Sequence, residues 1–112
     1  MATSEFLFTR RELEAALAAS AGTQRAVWAL RHGSMRVGLY APCGEDLQGP
    51  HDQDELYIVA SGAGVFVKNG EERAFAPQDV IFVEAGAAHR FTRFSADFAA
   101  FVIFWGPKGG EA

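Results

Sequence analysis

Three side chains in this 112-residue chain stand out by type and spacing as able to do chemistry together. His51 and Glu55 lie four residues apart in Gly49-Pro-His-Asp-Gln-Asp-Glu55. Side chains of an extended backbone alternate with period two, so in a strand both leave from one face. Gly49, Gln53 and Tyr57 share that parity, while Asp52 and Asp54 have the opposite one. His89 follows a small-residue loop around Gly86. Two imidazoles and one carboxylate make a facial triad that leaves positions on a transition metal open to water or substrate. The same spacing also fits a polar sheet rim, with His89 hydrogen-bonded at a strand start.

The elements that must position these groups are legible in the rest of the chain. Hydrophobic residues make up 49% and charged residues 21%, a globular balance, and the length suits one domain. Ten Phe beside twelve Gly favour strands and tight turns over a helical bundle. Thr9-Arg-Arg-Glu12 has the form of a capping box. Leu13, Ala16, Leu17 and Ala21 then share a helical face, which predicts a short packing helix over 10–21, stopped at Gly22.

After Gly22 the period changes to that of strands. Ala26–Leu30 and Met35–Tyr40 flank a turn at His32-Gly33-Ser34, and 41–50, with Pro42, Gly44, Gly49 and Pro50, reads as a loop. Leu56–Ala60 and Gly64–Lys68 follow. Asn69-Gly70 is a hairpin signal, because both residues tolerate positive φ. Glu71–Phe75, Val80–Glu84, His89–Phe94 and Phe98–Trp105 complete eight short strands, and Gly106–Ala112 reads as a tail. Such spacing predicts an antiparallel sandwich or small barrel. No GxGxxG, GxxxxGK[ST] or GxSxG motif occurs, so the common nucleotide and hydrolase signals are missing.

The last strand is apolar on both parities: Phe98, Ala100, Val102 and Phe104 on one, Ala99, Phe101, Ile103 and Trp105 on the other. A strand with one wet face should alternate. A second layer must therefore cover its outside, either the N-terminal helix or another subunit, and a homodimer is expected. The 14 acidic and 10 basic residues give a net charge of −4 with the basic residues scattered, so no nucleic-acid partner is expected. No apolar run approaches a membrane span, the run Phe6–Phe8 is too short for a signal-peptide core, and the one cysteine, Cys43, fits a reducing compartment; a cytoplasmic location is the expectation.

The chain resembles the cupin superfamily, and in Pro50–Ser61 its small single-domain bacterial members. The first family motif is a glycine, two histidines one apart, a glutamate three or four residues later and a glycine after six more. Here it meets His51, Glu55 and Gly62. The second meets Gln78-Asp-Val-Ile-Phe-Val-Glu-Ala-Gly86-Ala-Ala-His89, with Asn69-Gly70 between the two. The resemblance spans about residues 35–105. The chain departs from it where the first motif histidine falls on Gly49, the motif glycine on Gln78, the proline on Glu84 and the closing asparagine on Arg93.

The resemblance implies an all-β fold, an antiparallel double-stranded β-helix or jelly-roll barrel with a short N-terminal helix. It divides the chain into an N-terminal segment (1–24), the barrel (25–106) and a tail (107–112). It implies His51, Glu55 and His89 as ligands to one divalent metal (Fe, Mn, Ni or Zn), the fourth position falling to water or to the Gln53 amide oxygen. Tyr57, Arg93 and Tyr40 are the candidates for a small-molecule pocket, Arg93 by bidentate contact with an anionic group. Trp28 and Trp105 read as core or interface aromatics. The implied chemistry is dioxygenation, isomerisation or decarboxylation of a small oxygenated compound. The alternative is a non-catalytic binding or sensor module, with or without metal.

Overall fold

The computed structural model describes residues 6–20, 25–46 and 48–112. One helix, α1 (Arg10–Ala18), precedes eight strands: β1 (Ala26–His32), β2 (Met35–Tyr40), β3 (Asp54–Ser61), β4 (Gly64–Lys68), β5 (Glu71–Phe75), β6 (Val80–Val83), β7 (His89–Thr92) and β8 (Ala99–Trp105). The capping box forms: Thr9 Oγ1 accepts from Glu12 N at 3.1 Å, and Glu12 Oε1 accepts from Thr9 N at 3.3 Å. The helix is shorter than the apolar pattern predicts, and Ala21 and Gly22 lie outside the described residues.

All strand pairings are antiparallel and build two sheets, ordered β1-β2-β8-β3-β6 and β5-β4-β7. From β3 onward the chain passes back and forth between them, which is a jelly-roll arrangement; β1 and β6 are the edges of the larger sheet, β5 and β7 those of the smaller. Asn69 and Gly70 have φ of 49° and 84°, the left-handed pair that a tight β4–β5 hairpin requires. Inward residues of the larger sheet (Tyr57, Val59, Val83, Ala100, Val102, Phe104) meet Phe66, Phe75 and Phe91 of the smaller one. Phe91 is the hub of that core: its ring packs on Tyr57, Phe66, Phe75 and Phe98 at centroid distances of 4.6–5.4 Å.

The two-sided apolar pattern of β8 is explained by the outer face of the larger sheet. The register lines up Leu30, Val37, Ile103, Leu56 and Phe82 across five strands, and Val27, Leu39, Phe101, Ile58 and Val80 in a second row. α1 covers one end of this face, Leu13 packing with Ala29, Leu39 and Ala99. The Arg10 guanidinium donates to Ala60 O and Ser61 Oγ and so ties α1 to the end of β3. The β3–β6 end carries no helix, and Val80 and Phe82 are 62% and 48% exposed there. No helix among the described residues is long and apolar enough to cross a membrane.

Gly38 is the tightest point of the larger sheet. It pairs with Trp28 and Val102, and a Cβ there would lie 2.3 Å from Val27 O and 2.7 Å from Trp28 Cε3. The absent side chain lets the Trp28 ring reach Phe104 at 5.8 Å. Gly38→Ala is expected to cost about 1–3 kcal/mol through overpacking, lowering the thermal midpoint by several degrees. Circular dichroism melting checks this, and an unchanged midpoint would contradict the packing described.

Candidate metal centre

β3 turns Glu55 and Tyr57 into the space between the sheets, and β7 begins with His89 aimed at the same point. His51 lies just before β3, where two bends at Asp52 and Gln53 lead the chain into the strand. This approach is held by backbone bonds: Gly86 N donates to His51 O and Gly109 N to Asp52 O, both at 2.7 Å. Asp54 accepts from Ala85 N at 3.0 Å and Glu111 N at 2.8 Å, and these two donors hold its carboxyl below the usual range. The start of β3, the loop before β7 and the C-terminal residues are thereby tied together.

His51, Glu55 and His89 each present one donor atom, all within 4.8 Å of one another. His89 Nε2 lies 3.2 Å from Glu55 Oε1, and His51 Nε2 lies 3.9 Å from the same oxygen. The Glu55 and His89 side chains are 1% and 0% exposed, while His51 is 31% exposed and forms the accessible side. His89 Nδ1 is 2.9 Å from Ala87 O; a carbonyl only accepts, so Nδ1 carries the hydrogen. In the neutral ring the Nε2 lone pair therefore faces the carboxylate, and Glu55 Oε1 has no hydrogen-bond donor although it is fully buried.

Two buried acceptors facing each other need a cation between them, a proton or a metal. Burial acts to lower the His89 pKa, but Glu55 and the Ala87 carbonyl outweigh it and the net direction is up. Burial lowers that of His51, with Glu55 opposing, which favours the neutral form of the ring that a metal would need. An orphaned buried carboxylate oxygen, a ring held by its other nitrogen and a neutral second ring suit a divalent transition metal.

The surroundings complete the site. Tyr57 O–H donates to Gln48 Oε1 at 3.0 Å and lies 3.4 Å from His89 Nε2; burial first, then Glu55, pushes its pKa far up, so it keeps its proton. Asp46, buried, accepts from Phe91 N (2.8 Å), Gln48 N (3.2 Å), Gln48 Nε2 (2.9 Å) and the Tyr40 hydroxyl. One carboxylate thus pins the loop before His51 onto β7 and β2. Desolvation and then Asp46 raise the Tyr40 pKa, which keeps that phenol a donor as well. The Arg36 guanidinium lies 4.5 Å from the ring centres of both Trp28 and Phe104, and the Phe104 ring is 4.9 Å from that of His51. A groove of about 590 Å³ opens elsewhere, between the edge strands β5 and β6, and Phe66 lines it as well as packing on His89.

The structure brings His51, Glu55, His89 and Tyr57 together, and links Tyr40 to them through Asp46 and Gln48. It does not bring in Gln53, whose Nε2 donates to Ser34 O and Gly106 O: the bends at Asp52 and Gln53 break the alternation on which its inward parity depended. Nor does it bring in Arg93. A left-handed φ of 49° ends the strand period there, and the exposed guanidinium pairs with Glu72 at 3.0 Å. Asp46, Gln48 and Arg36 are the residues that sequence reasoning missed. The first two sit in a loop without period, and Arg36 reads there as one of the scattered basic residues.

Residues 37–105 match the family model described as Cupin domain, and the chain belongs to that family. It is 41% identical over 103 residues to the uncharacterized protein SCO3923 of Streptomyces coelicolor, covering 90% of this chain and 96% of that one. Its fold is similar to that of protein NMB1881 from Neisseria meningitidis (TM-score 0.66, 20% identity, 91% of this chain and 100% of that one). It is also similar to a chain from the DMSP lyase structures RdDddP and RnDddQII (TM-score 0.58, 28% identity, 70% of this chain but 42% of that one).

Removal of the Asp46 carboxylate strands several buried donors at once, at about 1–3 kcal/mol for each buried group left unpaired. Asp46→Ala is therefore expected to destabilise the chain by at least about 2 kcal/mol. Urea unfolding measures this; a change below about 0.5 kcal/mol, the size of an ordinary surface substitution, would show that the loop is not held as described.

Proposed function

We propose that this chain is a small metal-dependent cupin enzyme acting on a small oxygenated organic molecule at His51, Glu55 and His89. The observation that carries the reading is the buried Glu55 Oε1, which no hydrogen-bond donor satisfies and which faces an imidazole lone pair. The borderline N/O donor set suits Fe, Mn, Ni or Zn. A bound ion would supply Lewis acidity to a substrate oxygen. Tyr57, kept protonated by burial, donates a hydrogen bond toward that oxygen as negative charge develops on it. This favours isomerisation or decarboxylation, in which an oxyanion forms, over dioxygenation. Substrate enters past the half-exposed His51, and Arg36 beside Phe104 takes over the anion-binding part that parity assigned to Arg93. The substrate class is then a small carboxylate bearing a carbonyl or hydroxyl group.

A non-catalytic binding or sensor module is the second reading. It is favoured by Gly49 at the position of a motif histidine, and by a His89–Glu55 pair that a proton alone can satisfy. Elemental analysis separates the two. About one transition metal per chain is expected, lost in His51→Ala and His89→Ala; no uptake from any of the four ions would sink the metal reading. With a panel of small keto and hydroxy acids, Tyr57→Phe is expected to lower kcat about 10²-fold, the effect of removing one oxyanion donor. Oxygen consumption with the panel would instead point to dioxygenation, and binding without turnover to the module.

We further propose that the chain acts as a homodimer, with the bare β3–β6 end of the larger sheet covered by a second copy. Phe82 and Val80, 48% and 62% exposed, stand at this end of the two apolar rows, where α1 does not reach. Sedimentation is expected to give about 24 kDa, twice the 12.1 kDa chain, and about half that for Phe82→Glu. A 12 kDa wild-type species would contradict the assembly.

A further inference from the structure

We propose that Gln48 supplies the fourth protein ligand of the metal centre, through its side-chain oxygen. The inference rests on the metal reading above and concerns a residue outside both family motifs.

The orientation of the Gln48 amide is decided by its neighbours. Its Nε2 is 2.9 Å from Asp46 Oδ2, an atom that only accepts, so the nitrogen must be on that side. The oxygen therefore points the other way, where it lies 3.0 Å from the Tyr57 hydroxyl and 2.9 Å from His51 Nε2. Asp46 is held by Phe91 N and Tyr40, so the amide is clamped at its nitrogen end and its oxygen is presented to the cluster.

Two of the separations suit adjacent corners of one centre, and the wider ones, 3.9 Å from His51 Nε2 to Glu55 Oε1 and up to 4.8 Å across the three donor atoms, must draw in around an ion. Ligands at adjacent corners of an octahedron with bonds of about 2.1 Å lie about 3.0 Å apart. Gln48 Oε1 to His51 Nε2 is 2.9 Å, and Glu55 Oε1 to His89 Nε2 is 3.2 Å. In the metal-free state His51 Nε2–H donates to Gln48 Oε1. When His51 gives that nitrogen to an ion, the neutral ring takes its other tautomer, the proton passing through solvent from Nε2 to Nδ1, and a lone pair of Oε1 is released beside the ion. Asp46 keeps its bond from Nε2 and holds the amide in place, which frees the Tyr57 hydroxyl to turn from Oε1 toward a substrate oxygen. The chain thereby replaces the histidine missing at Gly49 with a neutral oxygen donor one residue earlier.

Titration of the metal-free full-length chain with Co²⁺, followed by visible absorption, tests this. Gln48→Leu is expected to weaken Co²⁺ binding by about ten-fold or more and to alter the band shape, whereas Gln48→Glu binds at least as tightly as wild type. Gln53→Leu is expected to match wild type in both respects. An unchanged affinity and spectrum in Gln48→Leu, with binding still lost in His51→Ala and His89→Ala, would overturn the Gln48 assignment and leave the metal reading standing. Absence of Co²⁺ binding by wild type would overturn both. If Gln48→Leu fails to fold by circular dichroism, Gln48→Glu decides: a changed spectrum with equal or tighter binding supports the assignment, and an unchanged spectrum defeats it.

Discussion

The structure turns on one constraint: a carboxylate, Glu55, is carried into the middle of an aromatic barrel with 1% of its surface exposed. A buried charge without partners is expensive, and the cost sets what must surround it. His89 is placed against it from the opposite sheet with its ring fixed by Ala87 O, and His51 approaches from the loop side. Tyr57, on the same strand, keeps its proton because it is buried and, next, because it shares the site with that charge. The site's polarity and the barrel's packing are therefore one problem, solved by bringing β3 and β7 face to face across Phe66 and Phe91.

The second anchor is Asp46, and it explains how a loop can be as exact as a strand. Loops ordinarily lie at the surface because their backbone groups need water. Here the carboxylate gathers donors from β7, from β2 and from Gln48, so the stretch before His51 is fastened to the barrel floor. Asp54 does the same at the entrance to β3 with Ala85 and Glu111. Two aspartates thus bracket the segment that delivers His51 and Glu55, and each satisfies backbone donors that the strand pairing leaves over.

The outer face of the larger sheet poses a different problem with the same physics. Two apolar rows cross five strands, and one short helix is too small to cover both. What remains bare is at the end farthest from the chain's own helix, on the strands that also carry Tyr57 and Val83 inward. Any partner seated there packs against the back of the strands that hold the site.

How much of this was legible in the chain depends on the range of the forces involved. The capping box, the Asn69-Gly70 hairpin and the strand alternation are local, set by dihedral preferences and by period two, and the sequence by itself determined them. It also determined, through type and spacing, that His51, Glu55 and His89 were the residues to watch, and the two-faced β8 announced a covering layer. Parity failed wherever the backbone left the strand. Gln53 swung out at two bends and Arg93 at a left-handed turn. The parts of Gln48, Asp46 and Arg36 could not be read, because the loop that carries the first two has no period to project and the partners lie far along the chain, Phe91 for Asp46 and Phe104 for Arg36. Only the tertiary structure decided those, since a carboxylate selects its donors by where the fold puts them and not by their distance along the chain.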